Sequence, residues 1–240
     1  SAAYIQSRQP EALSYTTAQG RQVAWMINSK TEQPPHVWLV FTGNGTCALD
    51  MAPYFRAAEP LKNDLTVLVD YPGYGRSVGR PTPNTIRESI RALLPAVARQ
   101  LRTPPEALRT RLRVFGHSLG CASALMAMNE HGIQRGVLVA PFTSMLGMAQ
   151  GTVGWPLCYV LHHRFDNVEE LQQLRNRGHC HLEVIHGTQD EVIPLAQGRS
   201  LAAGFPEIIT FHPADRGSHN GILNTHRSMI MEALAAAKRD

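Results

Sequence analysis

A serine, a carboxylate and a histidine, far apart along the chain, are the residues that could together do acyl chemistry. Ser118 lies in Gly116-His117-Ser118-Leu119-Gly120, between Arg111 to Phe115, a run with an apolar end, and an Ala/Leu/Met stretch reaching Met128. That succession predicts a strand, a sharp turn and a helix, with Ser118 on the turn. A serine hydroxyl is a weak nucleophile until a base takes its proton, and it must stand clear of the backbone for a carbonyl to approach. A strained strand-to-helix turn supplies the clearance. It also presses neighbouring backbone together, which accounts for glycine at 116 and 120. The helix that follows points its N-terminal amides and positive dipole end at any oxyanion formed on the serine. A glycine-bounded turn carrying an idle serine would read the same way, so the partners decide.

The base needs a carboxylate on its second ring nitrogen, to fix the tautomer and stabilise the imidazolium. In an α/β sheet of this kind the order is nucleophile, acid, histidine, each on a loop at a strand's carboxyl end. Asp190 follows the strand-like run His181 to His186, and His219 follows Glu207 to His212, in a polar loop containing Gly217. Eleven histidines compete. His36, His181, His186 and His212 fall at or inside strands, His226 in the closing helix and His117 within the turn. His131, His162, His163 and His179 lie away from the strand ends that would face the serine, which leaves His219 as base. Of the carboxylates, Asp70 precedes the serine and Asp166 lies inside a long insertion. Glu191 is the nearest competitor, with its side chain directed elsewhere, which leaves Asp190 as the acid.

The surrounding pattern supplies the elements that must hold these loops. Ala12 to Thr17 and Val23 to Asn28, joined by Ala18-Gln19-Gly20-Arg21, predict an antiparallel hairpin at a sheet edge. His36 to Phe41, Leu65 to Asp70 and Gly136 to Ala140 are near-continuous apolar runs, as in strands buried on both faces. Helices are predicted over Ala48 to Ala58, from a Thr85/Glu88 capping box to about Leu101 with a kink at Pro95, and as a short capped turn at Thr103-Pro104-Pro105-Glu106. Gly132 ends the helix after Ser118, Val168 to Leu174 is helical, and a last helix covers about Asn224 to Lys238. Strands alternating with helices imply one α/β domain, residues 1–240, with a mostly parallel eight-stranded sheet and helices on both faces. Residues 143–180 are longer than one crossover needs, and their apolar content predicts a small helical cap above the strand ends, or else an extra helix pair on the sheet.

Composition narrows the classes. The 240 residues are 43% hydrophobic and 18% charged, enough for a full core. A net charge of +4 is spread along the chain, apart from Arg99 to Arg113 around Pro104-Pro105, which argues against nucleic acid as partner. No apolar run approaches the ~20 residues of a bilayer span, so a soluble chain is expected. The sequence opens on Ser1 without a visible signal peptide, and leaves the compartment open between cytoplasmic and exported or anchored after removal of a leader. Cys47, Cys121, Cys158 and Cys180 are too sparse for a disulfide scaffold, although Cys158 and Cys180 could bridge in an exported protein. Cys158, His162, His163, His179, Cys180 and His181 fit no four-ligand metal spacing well.

With these residues in view, the chain from about Val37 to Leu234 resembles the α/β-hydrolase superfamily, in its serine-aminopeptidase-like and monoglyceride-lipase-like branch. The resemblance rests on Thr42-Gly43-Asn44-Gly45, Asp70-Tyr71-Pro72-Gly73-Tyr74-Gly75-Arg76-Ser77, Gly116-His117-Ser118-Leu119-Gly120, His186-Gly187-Thr188-Gln189-Asp190-Glu191-Val192-Ile193-Pro194 and Gly217-Ser218-His219-Asn220, in that order. Arg164-Phe165-Asp166-Asn167 before a helix is similar to the cap of that branch. The resemblance implies Ser118 as nucleophile, Asp190 as acid, His219 as base, and the amides of Asn44 and Leu119 as oxyanion hole. Thr42 departs from the pattern where family members commonly carry histidine, but an amide donor does not depend on that side chain.

The activity this implies is hydrolysis of a carboxylic ester or thioester of a small to medium hydrophobic substrate through an acyl-enzyme, without metal or organic cofactor. A peptidase or amidase using the same residues, and a non-catalytic binding protein with a vestigial set, are the alternatives. Chain length, leaving group and oligomeric state are not written in the residues.

Overall fold

The computed structural model describes residues 9–28, 33–144 and 165–239. Eight strands form one sheet in the order β1-β2-β4-β3-β5-β6-β7-β8. They are β1 (Glu11–Thr17), β2 (Gly20–Ile27), β3 (Val37–Phe41), β4 (Leu65–Val69), β5 (Leu112–His117), β6 (Arg135–Val139), β7 (His181–Gly187) and β8 (Ile209–Ala214). β2 pairs antiparallel with both β1 and β4, and every other pairing is parallel. This is the mostly parallel α/β sheet expected, and it directs the carboxyl ends of β3 to β8 to one edge.

Helices cover both faces because the central strands are apolar on both. In β3, Val37, Leu39 and Phe41 join the core under α2 (Pro83–Gln100) and α4 (Leu119–His131), whereas Trp38 and Val40 join the core under α1 (Ala52–Arg56) and α8 (Arg227–Ala236). All five β3 side chains are buried, which is the two-sided burial that a continuous apolar run predicts. β1, by contrast, buries only Leu13 and Tyr15 and leaves alternate positions to solvent, as an edge strand does.

Several boundaries differ from the sequence expectation. α2 begins at Pro83, with Thr82 as N-cap accepting the Thr85 amide, while the Thr85 hydroxyl accepts the Thr82 amide; Thr85 is therefore the third helical residue, not the cap. Glu88, the expected box partner, instead accepts the Ala18 amide from the β1–β2 turn. α2 runs on through Pro95. Before α3 (Pro105–Arg109) the N-cap is Pro104, and the Thr103 hydroxyl bonds the Leu101 carbonyl instead of capping. The stretch from Ala48 is a 3₁₀ turn, Ala48–Met51, followed by α1. The last strand starts two residues late because the Ile208 and Ile209 amides both turn back to the Phe205 carbonyl around Pro206. It continues through Pro213, whose missing amide an edge strand tolerates. α6 (Leu195–Gly204) lies between β7 and β8, and the closing helix is divided into α7 (Ile222–Thr225) and α8 at His226, whose φ of −116° is not helical.

The expected cap at 143–180 falls largely outside the described residues, which resume at Phe165. α5 (Asn167–Arg177) is capped by Asp166, which accepts the Glu169 amide at 3.0 Å. Buried Glu170 ties α5 to the helices below it by accepting from Asn129 on α4 and Arg87 on α2. Cys47, Cys121 and Cys180 are free thiols among the described residues, and Cys158, the expected partner of Cys180, lies outside them. Among the described residues no helix is long and apolar enough to cross a membrane.

Candidate active site

Ser118 occupies the turn between β5 and α4 with φ 56° and ψ −123°, a conformation costly for any residue with a side chain. Two contacts require that strain. Its amide donates to the Val139 carbonyl on β6 at 2.9 Å, and its carbonyl accepts the Cys121 amide at 2.9 Å to start α4. Glycine at 120 follows from the same closeness, since a Cβ there would run into the Phe41 carbonyl oxygen at the end of β3. The hydroxyl is left half-exposed at the strand ends.

The loops after β7 and β8 meet it there. Gly187 and Gly217 touch backbone to backbone, so that a Cβ on Gly187 would strike the Gly217 carbonyl. The Gln189 amide bonds that same carbonyl at 3.0 Å and the Arg216 amide bonds the Thr188 hydroxyl at 2.8 Å. The two loops are thus fastened side by side, and they bring three expected residues together. His219 Nε2 lies 2.9 Å from Ser118 Oγ, and His219 Nδ1 lies 2.8 Å from Asp190 Oδ2 and 3.0 Å from Oδ1. A carboxylate only accepts, so Nδ1 carries the proton and the neutral ring presents Nε2 as acceptor to the serine hydroxyl.

Asp190 is set up to remain ionised. Burial alone would push its pKa up, but hydrogen bonds from His219 and from the Ile193 and Val192 amides outweigh burial and hold it below the usual carboxylate range. Those amides reach Oδ1 at 2.7 and 2.9 Å. Fully buried His186 stands behind, donating Nε2–H to the Ile193 carbonyl at 2.8 Å with the Asp190 carboxylate 3.6 Å away. Glu191, the competing acid, accepts the His219 backbone amide at 3.0 Å and so supports the histidine from another direction.

His117 lies under the His219 ring, with centroids 5.3 Å apart, and its Nε2 donates to the His219 carbonyl at 3.2 Å. Burial, then the neighbouring His219 ring, push its pKa from 6.5 down to about 4, so it is neutral at pH 7.

The expected oxyanion donors flank the serine. Leu119 is the first residue of α4, and the loop carrying Asn44 abuts Ser118 so closely that a Cβ on Gly43 would sit 3.4 Å from the serine Cβ. The Asn44 and Leu119 amides bond no group among the described residues. Tyr71 and Tyr74, which in the sequence belong to the Asp70 to Ser77 motif without a stated role, hold that segment through the Thr42 carbonyl and the Asn44 side chain. The roles of His186 and Glu191 were equally hidden; adjacency to the acid motif was their only signal. Among the described residues no three His, Cys, Asp or Glu side chains gather as a metal ion would require.

The geometry has relatives. The human alpha/beta hydrolase domain-containing protein 17B is 24% identical over 191 residues, covering 80% of this chain, and the chain spans only 62% of that relative's length. An esterase from Pyrococcus furiosus superposes with a TM-score of 0.72 at 14% identity, over 97% of this chain and 91% of that one. An acylaminoacyl peptidase from Pyrococcus horikoshii superposes with a TM-score of 0.67 at 15% identity, over 93% of this chain and 40% of that one. A profile of the alpha/beta hydrolase family matches residues 38–215, which is most of the chain and includes the serine turn and the Asp190 loop, and the protein belongs to that family.

Proposed function

We propose that the protein is a serine hydrolase that cleaves a carboxylic ester or thioester of a small to medium hydrophobic substrate through an acyl-enzyme. The carrying observation is the unbroken series of hydrogen bonds from Ser118 Oγ through His219 to Asp190, with the buried carboxylate kept ionised. In this reading Ser118 Oγ attacks the acyl carbon as its proton passes to His219 Nε2, and Asp190 stabilises the imidazolium. The oxyanion is held by the Asn44 and Leu119 amides, each worth about 3 kcal/mol in the transition state. The carbon–oxygen or carbon–sulfur bond then breaks as His219 returns its proton to the leaving alcohol or thiol. A water deprotonated by the same ring attacks the acyl-serine, which releases the acid and restores the serine. The sequence between residues 143 and 180, with Met145, Leu146, Trp155, Leu157 and Leu161, supports a hydrophobic acyl or leaving group and the reading of this insertion as a cap on a single domain.

The test is hydrolysis of p-nitrophenyl esters from acetate to palmitate, with Ser118→Ala as control. Turnover by the wild type and loss of about 10⁴-fold or more in the variant is the expected result. A wild type that neither turns over nor is labelled at Ser118 by a fluorophosphonate would leave a non-catalytic binding protein, and turnover of acyl-peptides but not esters would make it a peptidase.

A further inference from the structure

Among the described residues, the segment that carries Asn44 is bonded to the rest of the molecule from one side only. Tyr71 Oη donates to the Thr42 carbonyl at 2.7 Å. Tyr74 Oη donates to Asn44 Oδ1 at 2.8 Å and accepts the Gly45 amide at 3.4 Å. The two rings meet edge to face, with centroids 5.7 Å apart at 87°, and Tyr71 is buried, so Tyr74 is itself held by a fixed neighbour. Thr42, Gly43 and Thr46 also line a partly open pocket of about 100 Å³ that they share with Met51, His117 and Leu223, so no side chain fills the space beside them there. The bonds within the segment are few: the Thr42 hydroxyl to the Thr46 carbonyl at 3.0 Å, and a long contact of 3.5 Å from the Thr46 amide to the Gly43 carbonyl. Gly45, at φ 77°, adds no side chain to anchor it.

A loop flanked by an unfilled pocket can move by the fraction of an ångström that decides whether an amide reaches a developing oxyanion. Asn44 is exposed, so nothing but the tyrosine hydroxyl grips its side chain among the described residues. We propose that Tyr74 is a positioning residue of the hydrolase, whose hydroxyl fixes Asn44 by its side-chain carbonyl and thereby keeps the Asn44 amide directed at the acyl oxygen above Ser118. The proposal rests on the acyl-transfer reading given above. Tyr74 touches no reacting atom in it; its effect passes through the Asn44 backbone.

The experiment is a double-mutant cycle on p-nitrophenyl butyrate with the wild type, Tyr74→Phe, Asn44→Ala and the double variant, with Ser118→Ala as reference and Tm measured for each. Phenylalanine keeps the ring and its packing on Tyr71, and Asn44 is exposed, so Tm should stay within a few degrees of wild type. Each single variant is expected to lose kcat by roughly tenfold, less than outright removal of an oxyanion donor costs, with KM within about twofold. The double variant should fall no further than Tyr74→Phe alone, because both changes break the Tyr74–Asn44 bond and only Tyr74→Phe also removes the acceptor of the Gly45 amide. A Tyr74→Phe or Asn44→Ala enzyme with wild-type kcat would overturn the proposal. So would losses that multiply in the double variant, or a loss that appears in KM alone. Those outcomes, seen with an active wild type and a dead Ser118→Ala, leave the acyl-transfer reading standing. A wild type as inert as Ser118→Ala overturns both.

Discussion

Glu191 accepts the backbone amide of His219 at 3.0 Å, while its neighbour Asp190 accepts that residue's ring Nδ1–H at 2.8 Å. Two adjacent carboxylates thus grip one histidine at two different points, and only one of them is in line with Ser118. Glu191→Ala removes the acceptor of the His219 amide, and kcat/KM for an ester is expected to fall several-fold. Glu191→Gln keeps an acceptor oxygen and should stay close to wild type. Equal losses in both variants, measured by steady-state kinetics, would point to charge rather than the amide bond as the operative feature.

Asp190→Asn bears on the other grip. An amide in place of the carboxylate can present N–H to Nδ1, which favours the tautomer that cannot accept from the serine hydroxyl. A loss of about 10⁴-fold in kcat at neutral pH is expected, with little change in Tm. A loss under tenfold would show that the ring is oriented by its other contacts, the Glu191 and His117 bonds to its backbone.

His117 predicts an acid limb in stability. Its folded pKa, near 4, lies below its ordinary 6.5, so below about pH 6.5 the unfolded chain takes up the proton first. The stabilisation is fully present above pH 6.5 and is lost as pH falls towards 4, by on the order of 3 kcal/mol. The groups that face the ring are His219 and, further off, Asp190. His117→Gln retains an N–H for the His219 carbonyl and does not titrate. Urea unfolding at pH 7.0, 5.5 and 4.5 should show a shallower fall for this variant than for wild type; parallel curves would place the acid sensitivity elsewhere.

Gly120→Ala tests the elbow itself. The added Cβ meets the Phe41 carbonyl oxygen, which belongs to the central strand and cannot swing away as a side chain can. Destabilisation of about 3 kcal/mol or more is expected, read as a lowered Tm, together with loss of ester hydrolysis. Gly204→Ala, where nothing lies within reach of the new Cβ, is the matched control and should remain near wild type.

Much of this protein is legible in its residues because the controlling physics is local. Apolar runs such as Val37 to Phe41 are strands for lack of any polar face, and Gly132, at φ 69°, ends α4 where a helix needs a left-handed residue. The glycine-bounded Ser118 is a turn for steric reasons. Hence the eight strands, their order along the chain and the mostly parallel α/β sheet follow from sequence pattern, and the motifs shared with the α/β-hydrolase superfamily narrow it to that fold. Caps and ends are less legible, since rival local bonds of similar strength compete. Thr82 and Thr85 could each have capped α2, and Pro206 delayed β8 by a turn that strand propensity does not register.

What the tertiary structure alone decided is which side chains meet. Ser118 and His219 are 101 positions apart, and their 2.9 Å contact depends on the Gly187 and Gly217 backbones touching in loops from two different strands. Asp190 and Glu191 have the same charge one position apart; the loop's backbone turned the first to the imidazole ring and the second to the amide behind it. The hydroxyl of Tyr74 reaches Asn44 across 30 positions because β4 lies beside β3 in the sheet, although the chain visits β3 first. Sequence pattern names residue types and the strand ends they follow, whereas hydrogen bonds of 3 Å between distant loops exist only once the sheet has set those loops side by side.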